Sequence, residues 1–312
     1  MILSPIMSFV VDKELGFPIP SEKEKINKAL RRYRYLLSQH PNRSDSPEIM
    51  FGIADLLVGR NNPGDYAEAG KILDQILMRP VPDYLKSRAL VGKAELMIGQ
   101  SEECDNAISM CERARKLLGK DVAEFFAAKT FVVEVELLLA RGQKNDWKNA
   151  IKLADRVIKN KHVHWYFRGR AFLSKAEITL YRQPKKLNQA LKLVNLSLYE
   201  LRNRQDDYFT NKGKLLKGEI MIRRLFKGDL EKAEAVLVEV IKMPIKYNDL
   251  IARAKIALAD ITLHPKASKL IKEVMEIDGL DPYLAEKAQQ IEQALIEKKK
   301  APRQARGTKK SK

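Results

Sequence analysis

Residues able to do covalent or metal chemistry are few in this 312-residue chain, and their spacing argues against catalysis. Four histidines occur: His40, His162, His164 and His264. His162 and His164 stand two apart, whereas a helical metal pair needs i,i+4 spacing, and no further ligand cluster lies near them in sequence. Surface or interface histidines are expected, with no metal and no cofactor. Cys104 and Cys111 fall seven residues apart on one predicted helix, about 10 Å along its axis at ~1.5 Å per residue. That is too far for a disulfide. Two unpaired thiols on the packing side of a helix fit a reducing, cytoplasmic compartment. The sequence has no Gly-rich phosphate loop, no nucleophile elbow and no His-Glu-x-x-His. The paired acids Asp206-Asp207 sit where a helix begins, an ordinary complement to its dipole. No catalytic constellation emerges, and an enzyme is not expected.

The chemistry that does repeat is ionic. A small residue, an acid and then Leu or Ile recur as Ala54-Asp55-Leu56, Ala94-Glu95-Leu96, Val135-Glu136-Leu137, Ala176-Glu177-Ile178, Gly218-Glu219-Ile220 and Ala259-Asp260-Ile261. The intervals between the small residues are 40, 41, 41, 42 and 41. Six residues before each small residue stand Glu48, Arg88, Lys129, Arg170, Lys212 and Arg253, basic in five units of six. Acid and base are thus seven apart, two turns along one helix face.

These charges require helices to carry them. Each signature lies midway along an apolar-periodic stretch, helix A. In the first five units an Ala then opens a second amphipathic stretch, helix B, at Tyr66-Ala67, Asn106-Ala107, Asn149-Ala150, Gln189-Ala190 and Lys232-Ala233. The turns between carry Gly, Asn or Asp, as in Asn62-Pro63-Gly64-Asp65, Lys144-Asn145-Asp146 and Lys227-Gly228-Asp229, residues that tolerate left-handed backbone or cap a helix. The sixth unit turns at Leu263-His264-Pro265, and Pro265 suits the first position of a helix. Tyr283 to Lys300 reads as a terminal capping helix. The small residue lets two helix backbones approach, and Phe51, Val91, Val132, Leu173, Leu215 and Ile256, three positions earlier, extend the apolar stripe.

Gly64-Asp65-Tyr66-Ala67-Glu68-Ala69 and Gly228-Asp229-Leu230-Glu231-Lys232-Ala233, each opening a B helix, resemble tetratricopeptide repeats. The resemblance covers roughly residues 47 to 277. The period of about 41 is longer than the usual 34 of that family and nearer to HEAT-type repeats, whereas the Gly-Asp turns are of the tetratricopeptide kind. The resemblance implies an all-α fold: a right-handed α-solenoid of about six helix-turn-helix hairpins plus a C-terminal capping helix. It also implies that A helices line a concave surface, with Arg88, Glu95, Lys129, Glu136, Arg170, Glu177, Lys212 and Glu219 along the groove. Two readings of that row stand side by side. The charges hold an extended or helical peptide, or acids and bases of neighbouring A helices neutralise one another as a ladder.

Charge is unevenly distributed. Residues 141–226 hold 21 basic and 7 acidic side chains, whereas 1–140 hold 19 and 20, and 227–297 hold 10 and 13. The net charge of +18 therefore resides in the middle hairpins and in the tail from Lys298, which has 8 bases and no acid. Arg168, Lys185, Lys186, Arg202, Arg204, Lys214, Arg223 and Arg224 are the candidate anion-binding patch, with Arg170 and Lys212 beside them. His162 to Arg170 interleaves aromatics with bases, which suits nucleic acid or an acidic peptide; alternatively Trp165 and Phe167 face the core. The organisation expected is an N-terminal arm (1–20) docked on the first hairpin, a solenoid (21–300) and a basic disordered tail (301–312). With 45% hydrophobic residues the chain has material for a continuous core, yet no run of roughly 18 apolar residues to cross a membrane. The start has no basic n-region, so no secretory signal is expected. The leading expectation is a cytoplasmic adaptor holding a protein or peptide partner that carries acidic segments. The rivals are an RNA- or DNA-associated protein and a structural subunit that assembles through its end helices.

Overall fold

Paired amphipathic helices account for nearly all of the computed structural model, which describes residues 23–41, 43, 45–60, 62–98, 100–118, 124–203, 208–243, 247–263 and 265–300. Among these residues there is no strand. Contacts divide the chain into two compact units, Met1–Thr210 and Asn211–Lys312.

The first unit opens with α1 (Lys23–Gln39). Four hairpins follow: α2 (Ser46–Arg60) with α3 (Asp65–Leu77), α4 (Asp83–Leu96) with α5 (Cys104–Leu118), α6 (Glu124–Arg141) with α7 (Asp146–Lys159), and α8 (Trp165–Arg182) with α9 (Leu187–Glu200). Consecutive helices pack together, and α4, α6 and α8 also touch in series. The first helices of the last three of these hairpins thus form a continuous row, and in all four the second helix packs against the first. Cys104 and Cys111 share α5 as expected, both buried and unpaired. Burial pushes the Cys111 thiol up to about 12, so it is inert as a nucleophile at neutral pH.

The second unit begins within α10 (Tyr208–Arg224) and continues through α11 (Asp229–Ile241), α12 (Asn248–Ile261), α13 (Lys266–Met275) and α14 (Pro282–Lys300). The terminal helix α14 packs on α12 and α13, and its Leu284 and Ala288 join their core.

The repeat signature marks the close-packing points. All six small residues, Ala54, Ala94, Val135, Ala176, Gly218 and Ala259, are buried. At Gly218 the fit is tight: a Cβ there would lie 2.8 Å from the Leu237 side chain of α11, which would have to shift. The apolar residues three positions earlier, from Phe51 to Ile256, are buried as well. Helix α1 lacks the signature and escapes the repeat count. Its Ile26, Leu30, Tyr33 and Leu37, at spacings of four, three and four, bury one stripe in the core of the first hairpin. The N-terminal arm (1–20), the tail (301–312), His264, Arg204 and Asp206-Asp207 lie outside the described residues. No helix among the described residues is long and apolar enough to cross a membrane.

Candidate functional site

The two charged rows meet across neighbouring hairpins. Glu95 on α4 takes Lys129 of α6 at 2.9 Å and Arg170 of α8 at 2.8 Å. Arg170 also donates to both oxygens of Glu136, from Nε at 3.1 Å and from Nη2 at 2.7 Å. Three first helices are thereby tied by one network. In the second unit Arg253 of α12 reaches Glu219 of α10 at 3.2 Å in the same manner. Arg170 is only 2% exposed. Its guanidinium lies 4.1 Å from the Phe209 ring centroid and 5.7 Å from that of Tyr166.

Electrostatics make this network self-consistent. Burial alone would raise the Glu95 carboxyl, but the charges and hydrogen bonds of Lys129 and Arg170 outweigh it and hold the pKa at about 2. Burial likewise opposes the charge on Arg170, yet Glu136 and Glu95 raise its pKa well above the ordinary value. Arg88 lies over the Phe51 ring at 4.5 Å. Glu177, Lys212 and Glu219 are half-buried.

A second device recurs at the turns, and the sequence reading missed it. Arg60, Arg141 and Arg224 each end a first helix, and each grips the aspartate five residues on: Asp65, Asp146 and Asp229. Nε donates to one carboxylate oxygen at 2.8–2.9 Å and Nη2 to the other at 2.6–2.7 Å. The bond from the arginine is the largest influence on each aspartate and holds its carboxyl below the usual range. The signal was available as Arg-x4-Asp at three A-to-B turns. The α4–α5 and α8–α9 turns use short 3-10 segments instead, Ser101–Glu103 and Pro184–Lys186.

The basic residues divide sharply. Between Lys144 and Asn203 none of the four carboxylates is exposed. Asp146 is held by Arg141, Asp155 by Lys175 and Glu200 by Arg168. Apart from Arg168, Arg170 and Lys175, every lysine and arginine in that stretch is exposed, and none of these exposed bases has an ion pair among the described residues. Lys148, Lys152, Arg156 and Lys159 follow one another along the solvent side of α7. Lys185 and Lys186 form the turn into α9, whose first turn has no acid and no side-chain cap. The positive end of that helix dipole adds to their charge. Farther along, Arg202 lies over Tyr199 at 4.2 Å, with Tyr199 63% exposed.

Of the expected anion patch, Lys185, Lys186 and Arg202 stand in solvent, while Arg168 is half-buried and donates from Nε and Nη2 to the two carboxylate oxygens of Glu200. Arg223 is exposed; Lys214 pairs with Glu239 at 3.2 Å and Arg224 with Asp229. Phe167 is buried and Trp165 half-buried, so this aromatic run packs inward for the most part. His164 caps α8, its Nδ1 accepting from the Tyr166 N–H at 3.3 Å; His40 and His162 are exposed.

Sequential hairpins, buried small residues at the crossing points and cross-hairpin rungs define a helical-repeat protein of the tetratricopeptide-like class. The chain is similar in structure to yeast Tom70, a tetratricopeptide-repeat helical protein, with a TM-score of 0.53 at 14% identity. The match covers 90% of this chain and 61% of the Tom70 chain, so this chain spans about three fifths of that neighbour's length. No protein-family model and no curated protein matches the sequence.

Proposed function

We propose that this protein is a non-enzymatic helical-repeat scaffold that holds a partner polypeptide and recruits its acidic segments through the exposed bases of α7 and α9. The observation that carries this reading is the segregation of charge between Lys144 and Asn203, where carboxylates are covered or paired and the remaining bases face water. A surface with one sign of charge raises encounter rates with an anion of the other sign. Of the charged row, Glu95, Lys129, Glu136 and Arg170 serve first to hold α4, α6 and α8 in register, and Glu219 does the same for α10 and α12 through Arg253. Arg170 and Glu136 in particular are committed to each other and have almost no surface to offer a ligand. A peptide that contacts the row meets its half-buried members.

A second reading, attachment to RNA or DNA, is favoured by Tyr199, an exposed ring beneath an arginine, since stacking platforms among bases suit single strands. Titration of the protein with a short polyglutamate peptide and with a single-stranded RNA of equal charge separates the two. The scaffold reading expects the peptide to bind at least as tightly as the RNA. RNA binding that is much tighter, and that Tyr199→Ala weakens, would overturn it.

A further inference from the structure

Three turns between paired helices are built alike, and one has a tip unlike the others. In each, the backbone N–H two residues after the arginine donates to the gripped aspartate, from Asn62, Gln143 and Phe226 at 2.8, 2.9 and 3.0 Å. The aspartate N–H returns a bond to the carbonyl of that same residue. The position after the arginine is left-handed in the α6–α7 and α10–α11 turns. Gly142 fills it in the first, at φ 68°, and Leu225 in the second, at φ 56°. Glycine adopts that backbone freely, whereas a leucine there crowds its Cβ against the following carbonyl.

The turn itself imposes this backbone, the Leu225 N–H donating to the Met221 carbonyl as the Gly142 N–H does to that of Leu138, but the leucine side chain gains little burial in return, being 66% exposed. Phe226 beside it is 56% exposed, and Leu230, one residue into α11, is 40% exposed. The Phe226 ring is held in place: Arg224, fixed by Asp229, lies over it at 4.5 Å, and its own N–H is tied to Asp229. Exposed bases flank the tip at Arg223 and Lys227. The equivalent positions of the α6–α7 turn are Gly142 and Gln143, so the clip itself does not demand apolar side chains.

We propose that Leu225 and Phe226 form a preorganised docking knob for an acidic amphipathic helix of a partner protein. The apolar stripe of that helix covers Leu225, Phe226 and Leu230, and its carboxylates face Arg223 and Lys227. Backbone strain kept at an exposed apolar position is the pattern of a binding element, and a knob fixed before binding loses little entropy on docking. This surface lies wholly within the second unit and stands whether or not the bases of α7 and α9 bind anything.

The test transplants the α6–α7 residues onto this turn in the full-length protein, as Leu225→Gly with Phe226→Gln. The probe is a synthetic helical peptide with leucines at i, i+3, i+4 and i+7 and glutamates elsewhere. At about 0.5 M salt the screening length falls to roughly 4 Å, which suppresses attraction to the basic side of α7 and α9. The wild-type protein is expected to bind the peptide, and the double variant to bind it about tenfold more weakly or worse. The thermal midpoint of the variant should be unchanged or higher, because glycine relieves the turn. If the midpoint falls, Phe226→Gln alone carries the same expectation. Equal affinity of both proteins, or no binding by either, overturns the proposal. So does loss of binding to phosphatidylcholine–phosphatidylserine vesicles with peptide binding intact, which would assign the knob to a lipid surface.

Discussion

Arg170 and Glu136 lie 34 residues apart and join through two hydrogen bonds, and the same step separates Arg253 from Glu219 and Lys129 from Glu95. The step is one repeat of 41 shortened by the seven residues between base and acid within a helix. Every such rung therefore joins the acid of one hairpin to the base of the next. Removing one partner of a buried pair strands the other, so Arg170→Met should destabilise the protein by about 3–5 kcal/mol. Adding Glu136→Gln to that variant should recover part of the loss. Denaturant unfolding measures both, and an Arg170→Met cost below about 1 kcal/mol would rule out a structural rung.

Glu95 supplies a pH dependence. Its folded pKa of about 2 lies below its ordinary value of 4.5, so folding favours the ionised form. The stability it contributes is complete above 4.5 and is lost as pH falls toward 2. Asp65, Asp146 and Asp229 are shifted in the same direction. Glu95→Gln should be less stable than wild type at neutral pH, and the difference should shrink steadily below pH 4.5. A gap that stays constant down to pH 2 would mean Glu95 is not held by Lys129 and Arg170.

Close approach of paired helices makes the small residues sensitive to size. Ala94 and Ala176 are fully buried, and Ala94→Leu or Ala176→Leu should each cost about 1–3 kcal/mol by overpacking. Gly218→Ala forces Leu237 to move, since the added carbon would lie 2.8 Å from it. Unfolding midpoints unchanged in all three variants would contradict the assigned register.

The arginine–aspartate clips should matter unequally with their burial. Asp146→Ala removes an acceptor shared by Arg141 and the Gln143 N–H, for a cost on the order of 1–3 kcal/mol. Asp105→Ala touches the same arginine from an exposed position and should cost about 0–1 kcal/mol. Equal effects in thermal unfolding would assign the clip no special role.

Periodicity made much of this fold legible. The small-acid-Leu signature located every first helix from α2 onward because the packing that selects a small residue recurs in each hairpin. Helix α1 was missed because no preceding hairpin demands that residue of it. The second helices begin two to four residues before their alanines, at Asp65, Cys104, Asp146, Leu187 and Asp229. The arginine clips and 3-10 segments that set those starts are invisible to hydrophobic spacing. Charge counts located the basic region but could not divide it. Arg168 and Lys185 look alike in sequence, and only the fold shows Arg168 held by Glu200 while Lys185 stands in solvent.

The central claim, that the exposed bases of α7 and α9 recruit an anionic partner, is tested most directly by a salt series after removal of residues 298–312. The tail goes first so that its own bases do not contribute to the binding measured. The truncated protein should bind polyglutamate with an affinity that falls steeply as ionic strength rises. Reversal of Lys152, Lys159, Lys185 and Lys186 to Glu should abolish that binding while leaving the unfolding midpoint near wild type, since none of the four makes an ion pair or ring contact among the described residues. Loss of all binding on truncation alone, or retained affinity after the four reversals, would contradict the account.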